Sequence, residues 1–280
     1  YLLPEALEAL NAMMDAFQAQ GGSKTVNVVA GHRTAEFQQH LFDQSAERNG
    51  IEHANKYVAK PGGSEHHTGL VVDFSILHGD GSSEEYQGQG EYGWINENCQ
   101  DYGYVVRYEA GKEDLTGIWD EPWHFRYIGI PHATQAAAQG LCLEEYVDYL
   151  KQFSFEGEHL MIDCASGRYE VWYAQGTKAY IPDSGEYTVS GNNVDGVVVT
   201  VKIGLRTEKE LPQGFALREF LYENFVCSLL RRPRPRHQRE SRPHLRSHPR
   251  REPHPRPRSR RQRELHPRLR FRRQREPRPH

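Results

Sequence analysis

Glutamate recurs at positions 240, 252, 264 and 276, one every twelve residues, with arginine or glutamine repeated in the same register beside it. The fifty residues that carry this repeat, 231–280, hold 20 arginines, no lysine, and 10 of the chain's 16 prolines. Proline removes backbone donors, and almost nothing apolar is present, so no core can form there and this basic tail is expected to be disordered. Folding is confined to what precedes it. The net charge of −3 for the 280 residues is a sum of unlike parts: the tail carries +16 and the first 230 residues −19. An acidic body argues against a nucleic-acid-binding core. The tail reads either as a polybasic arm for anionic polymers, wall polymers or nucleic acid, or as a repeat-derived, out-of-frame extension without selected function. An arginine repeat binds polyanions indiscriminately, so no specific nucleic acid partner is expected.

Hydrophobic spacing organises the body. Leu7, Leu10, Met14 and Phe17 predict a helix over 4–20, stopped by Gly21-Gly22. Residues 25–30 are β-branched and strand-like, and Thr34 is placed to cap a helix with Phe37, Leu41 and Phe42 inward. Strands are expected at 71–76, 104–108 and 123–128, with helices at 92–102 and 143–153, a mixture that indicates an α+β fold. From about Phe155 the texture changes to alternating strands at 168–174, 178–181, 187–190 and 197–203, a small all-β appendage. Residues 215–230 read as a helix. The expected organisation is therefore a small antiparallel sheet flanked by helices in residues 1–153, a β-rich appendage in 154–210, and a helix-like segment and tail in 211–280. The four cysteines, at 99, 142, 164 and 227, form no CxxC pair and read as small buried thiols, with a Cys99–Cys142 disulfide open if the protein is exported. No run approaches the roughly 18 apolar residues of a membrane span. No export signal is visible, and the chain starts at Tyr1 without Met.

Two stretches carry the chemistry: Ser64-Glu65-His66-His67-Thr68-Gly69-Leu70-Val71-Val72-Asp73 and Glu121-Pro122-Trp123-His124-Phe125-Arg126-Tyr127. A catalytic zinc takes three nitrogen or oxygen ligands and keeps one position open for water. His66, Asp73 and His124 meet that need, with Glu121 left to take a proton from the water. The spacing is not that of two imidazoles four apart on a helix. Instead Gly69 allows a turn to feed a strand holding Asp73, and Pro122 puts Glu121 and His124 on a loop entering a strand. His67 is the rival of His66, and spacing alone does not separate them.

The pattern Ser-x-His-x-x-Gly-x-x-x-Asp followed by Glu-x-Trp-His resembles the zinc signature of the VanY-type bacterial D-alanyl-D-alanine carboxypeptidases, within the superfamily that includes D-Ala-D-Ala dipeptidases and lysostaphin-like peptidases. Gly31-His32-Arg33-Thr34 with Gln38, Pro61-Gly62-Gly63-Ser64, Tyr102-Gly103-Tyr104 and Pro122-Trp123-His124-Phe125-Arg126-Tyr127 fit it as well. The resemblance runs from about residue 4 to 153; Val71 stands where Ala is usual and His32 where Tyr is common. It implies one Zn²⁺ on His66, Asp73 and His124, which also selects His66 over His67. It implies Glu121 as general base and then proton donor to the leaving amine. Arg33 would hold the substrate's terminal carboxylate or steady the oxyanion, and Ser64 and Gln38 would help bind substrate. Arg107 and Arg126 are left between substrate-side and structural roles.

The implied activity is removal of the terminal D-Ala from peptidoglycan stem peptides ending in D-Ala-D-Ala, by a monomer in the bacterial envelope or secreted. The alternatives are an L,D-carboxypeptidase or peptidoglycan endopeptidase of the same superfamily, or a non-catalytic wall-binding protein whose appendage and basic tail contact anionic wall polymer.

Overall fold

The computed structural model describes residues 1–203 and 215–219; the repeat tail, Cys227 and most of the segment read as a C-terminal helix lie outside them. Helix α1 (Pro4–Ala19) turns Ala6, Leu10, Met13 and Phe17 into the core, one face at three- and four-residue spacing, while Leu7 is half exposed. Strand β1 (Val26–Ala30) follows, then α2 (Ala35–Asn49), whose Thr34 side chain accepts from the Phe37 amide as expected of a cap. The inner face of α2 differs from the expected one. Gln38 and Phe42 are buried, whereas Phe37 is 52% exposed, because the Gln38 amide turns inward to donate to the Ala59 carbonyl at 2.8 Å.

A short helix α3 (Ile51–Tyr57) leads by way of a 3₁₀ turn at Glu65–Thr68 into β2 (Val71–Leu77). Gly69 joins turn to strand at φ +70°, a conformation that costs a glycine nothing. Strands β3 (Ser83–Glu85), β4 (Tyr104–Tyr108) and β5 (Glu121–Tyr127) complete an antiparallel sheet in the order β1-β2-β5-β4, with β3 beside β2. The helix expected over 92–102 is only α4 (Gly93–Asn98) between two 3₁₀ turns, and α5 (Glu113–Thr116) precedes β5. Against this sheet pack Phe74, Phe125, Tyr86, Ile95 and Tyr104, together with the α1 face. Asp73 and His124 thus sit on two neighbouring strands whose apolar positions fix the register.

Helices α6 (Ile130–Gln139) and α7 (Leu143–Leu150) close this region. Beyond them β6 (Leu160–Cys164), β7 (Gly167–Gln175), β8 (Lys178–Pro182), β9 (Tyr187–Gly191) and β10 (Gly196–Ile203) form the all-β part, with β6-β7-β10-β9 in one sheet. Strand alternation splits its core: Val171, Tyr173 and Val198 face α6 and α7, while Trp172, Val197 and Val199 pack on Ala179 and Ile181. Residues 215–219, expected to be helical, form β11 (Phe215–Glu219) paired with β8; Phe215 packs edge-on against Phe155 and Trp172, so tertiary contact overrides local preference. Cys99, Cys142 and Cys164 are free thiols, so the described chain has no Cys99–Cys142 disulfide.

His132 on α6 pins the appendage to the helices. Its Nδ1 shares a hydrogen bond with the Tyr146 hydroxyl and its Nε2 with Thr200 Oγ1, both at 2.8 Å. Burial pushes its pKa down to about 4. The unfolded imidazole titrates near ~6.5, so between these values the unfolded chain binds more protons and stability falls as pH falls. Thermal melts from pH 7 to 4 should show a drop in Tm that is shallower in His132→Asn; parallel profiles would contradict this.

Candidate metal centre

The site is built where β2 and β5 lie side by side. Asp73 is the Cα partner of His124 in that antiparallel pair, so two residues 51 apart in sequence point from adjacent strands to one place. His66 arrives from the 3₁₀ turn that precedes β2. Its Nδ1–H donates to the Gly31 carbonyl at 2.6 Å, which leaves Nε2 as a bare lone pair. That Nε2 is buried, lies 3.1 Å from Asp73 Oδ2, and makes no hydrogen bond. Nδ1 of His124 lies 3.1 Å from Asp73 Oδ1 and 3.2 Å from Glu121 Oε2. Asp73 Oδ1 is likewise buried without a hydrogen-bond partner.

His66, Asp73 and His124 are all buried and each offers a ligand atom within 4.8 Å of the others'. Buried polar atoms are ordinarily paired, but His66 Nε2 and Asp73 Oδ1 are not, and with His124 Nδ1 beside them they make a donor set that fits a divalent ion of zinc's type. His67 does not belong to it. Its Nε2 accepts from the Gly62 amide at 3.2 Å and its Nδ1–H donates to the Arg33 carbonyl at 2.7 Å, so both nitrogens are held by main chain. Backbone contacts therefore hold His67 outside the cluster that His66 joins.

Electrostatics follow the same arrangement. Burial opposes ionisation of Asp73, but the His124 and His66 imidazoles beside it outweigh that and hold its carboxyl well below the usual range. Burial lowers the pKa of His66. For His124 burial is outweighed by Asp73, Glu121 and Glu65, and its pKa is raised.

Glu121 is the first residue of β5, not part of a preceding loop. The register between β4 and β5 slips between the Val106 and Tyr108 pairings, and Pro122, which has no N–H to give, lies in that irregular stretch. Arg33 donates from Nη2 to Asp73 Oδ2 at 2.6 Å. Ser64 is buried immediately before the 3₁₀ turn, and Gln38 commits Nε2 to Ala59 while its buried Oε1 has no partner. The residues singled out from sequence therefore fall in two groups: Arg33 and Glu121 touch the ligand cluster, and Gln38 lines the loop that leads to Ser64.

Glu65 and Tyr108 had no role in the sequence reading, and it left Arg107 and Arg126 between substrate-side and structural roles. Glu65, one position before His66, is 5% exposed; Arg107 Nε donates to its Oε1 at 2.8 Å, and Arg126 Nη1 lies 3.3 Å from its Oε2. Those two guanidinium groups outweigh burial and hold Glu65 well below the usual carboxylate range. Arg107 also donates from Nη1 and Nη2 to the two oxygens of Glu144 on α7. Tyr108 stands over His124 with ring centroids 4.9 Å apart. The available signal was a pair of arginines inside otherwise apolar strands, which require a buried anion.

Residues 1–130 match the model of the family described as VanY, D-alanyl-D-alanine carboxypeptidase. A D-alanyl-D-alanine carboxypeptidase of Enterococcus faecium is 33% identical over 204 residues, covering 72% of this chain and 61% of that protein. The bifunctional D-Ala-D-Ala dipeptidase and D-Ala-D-Ala carboxypeptidase VanXYC of Enterococcus gallinarum is 35% identical over 155 residues, 54% of this chain and 80% of its own. Among solved structures, the vancomycin resistance D,D-dipeptidase VanXYg, in complex with a D-Ala-D-Ala phosphinate analog, superposes with a TM-score of 0.65 at 32% identity, covering 72% of this chain and 82% of that one. The chain spans under two thirds of the E. faecium protein, and the match of 204 residues is too long to be confined to residues 1–153.

Proposed function

This chain belongs to the VanY family of D-alanyl-D-alanine carboxypeptidases, and from that membership we propose that it is a zinc-dependent D,D-carboxypeptidase that removes the terminal D-Ala from peptidoglycan stem peptides. The observation that carries the reading is the convergence of His66, Asp73 and His124 with Glu121 beside them. One zinc ion held by those three residues would supply a Lewis acid and a water whose pKa is lowered toward neutrality.

The remaining chemistry falls to the chain's own groups. Glu121 Oε2, 3.2 Å from His124 Nδ1, is placed to accept a proton at the ligand cluster and return it to the departing amine nitrogen of D-Ala. Arg33 supplies positive charge at Asp73 and a planar fork for the substrate's terminal carboxylate or the developing oxyanion. Ser64 and the unpaired Gln38 Oε1 are the proposed hydrogen-bonding groups toward the peptide. Because its substrate lies outside the cytoplasm, we place the protein in the envelope or secreted; among the described residues no helix is long and apolar enough to cross a membrane. Residues 1–153 would form the catalytic part and 154–210, with β11, the appendage.

The preference is tested by presenting a stem pentapeptide, a stem tetrapeptide and free D-Ala-D-Ala in separate assays. The expected result is release of D-Ala from the pentapeptide at least about tenfold faster than from either alternative, a difference of about 1.4 kcal/mol in transition-state binding. Faster cleavage of the tetrapeptide would make this an L,D-carboxypeptidase instead.

A further inference from the structure

A metal-bound imidazole has a second nitrogen whose N–H needs a partner, and the two imidazoles here solve that problem differently. His66 gives its spare N–H to a main-chain carbonyl, that of Gly31. His124 directs Nδ1 at Asp73 and Glu121, so its spare nitrogen is Nε2, which is buried and has no hydrogen bond. Glu65 Oε2, also buried and without a hydrogen bond, lies 3.9 Å away. Closing that gap to the ~2.9 Å of an N–H···O bond needs a shift of about 1 Å.

Resting on the zinc reading above, we infer that Glu65 is the positioning residue for His124, accepting the Nε2–H through Oε2 while Arg107 fixes its other oxygen. The rest of the network keeps Glu65 from turning elsewhere. Arg107 spends Nε on Glu65 and its two terminal nitrogens on Glu144, so the carboxylate is tied through a rigid guanidinium to α7. Arg126 stands on the Oε2 side at 3.3 Å. Glu65 directly precedes His66 in the 3₁₀ turn, so one turn supplies one ligand and the group that orients another. A carboxylate behind a ligating histidine fixes its tautomer and ring orientation and raises its basicity.

Two measurements test this on the full chain. Competition with a chromophoric chelator should show Glu65→Gln binding Zn²⁺ about 10–100-fold more weakly than the parent. Glu144→Gln, which disturbs Arg107 from its far side, should stay within about threefold, since an outer partner contributes far less than the group on the histidine itself. Equal affinity in Glu65→Gln and the parent, or an equal loss in both variants, would overturn the inference. Should Glu65→Gln fail to fold, imidazole ¹H–¹⁵N spectra of the zinc-loaded parent decide it. His124 should then show a protonated Nε2 whose hydrogen exchanges slowly, whereas an unprotonated Nε2, or one exchanging at solvent rates, would overturn it. A parent chain that takes up no Zn²⁺ at all would instead overturn the metal reading on which this rests.

Discussion

Glu121→Gln is expected to lower turnover of a D-Ala-D-Ala-terminated peptide by about 10²–10⁴-fold, the usual worth of a positioned general base, while one equivalent of zinc stays bound. The two halves of this result follow from one geometry. Glu121 is at the edge of the ligand cluster, 3.2 Å from His124 Nδ1, but it is not among the three residues whose ligand atoms converge. Its amide counterpart keeps the size and loses the ability to take a proton. The strand it opens is held by pairings of Val71, Val72 and Asp73 with Arg126, Phe125 and His124, none of which involve its side chain. Steady-state rates and metal analysis on the same preparation check it. Turnover within tenfold of the parent would remove Glu121 from the chemistry, and lost metal would make it a ligand.

Asp73→Asn should have the opposite signature: zinc content falls toward zero, and activity falls by more than the roughly 10–100-fold that accompanies loss of a group behind a ligand. Asp73 is the hub of the site. Its carboxylate stands within 3.1 Å of both imidazoles and accepts from Arg33 at 2.6 Å. Removing its charge leaves the Arg33 cation without its anion and takes the only carboxylate from the ligand set, so the affinity for a further cation drops. The fold should persist, because β2 is anchored by Val71, Val72, Phe74 and Ile76 in the core. Circular dichroism with metal analysis checks this; an Asn variant that binds zinc as the parent does would contradict it.

Much of the site was legible before any coordinates, and the reason is local. Val71-Val72 and Trp123 beside His124 mark strands, and once two strands carry Asp73 and His124 their side chains can meet across a ladder. What sequence could not supply was register and distance. Spacing left His66 and His67 unresolved, and only the family resemblance chose His66, because their difference lies in contacts with Gly31, Gly62 and Arg33, over up to 35 residues. Glu65 was passed over for the same reason: its partners Arg107 and Arg126 come from two strands far along the chain. Phe37 was placed inward on periodicity, yet a buried hydrogen bond from Gln38 determined which face of α2 turns to the core. Helix α6 was not read at all, although Pro131 in its first turn and Gly140 at its end are ordinary boundary signals. Strand β11 was read as a helix because its pairing with β8 is non-local.

The most direct measurement is mass spectrometry of purified muropeptides incubated with the chain as isolated, after chelation, and after chelation with Zn²⁺ restored. If two histidines and an aspartate hold a catalytic ion beside Glu121, pentapeptide stems lose the mass of one alanine residue in the first and third reactions and stay intact in the second. Equal shortening by the chelated protein, or intact pentapeptide in all three, would contradict it.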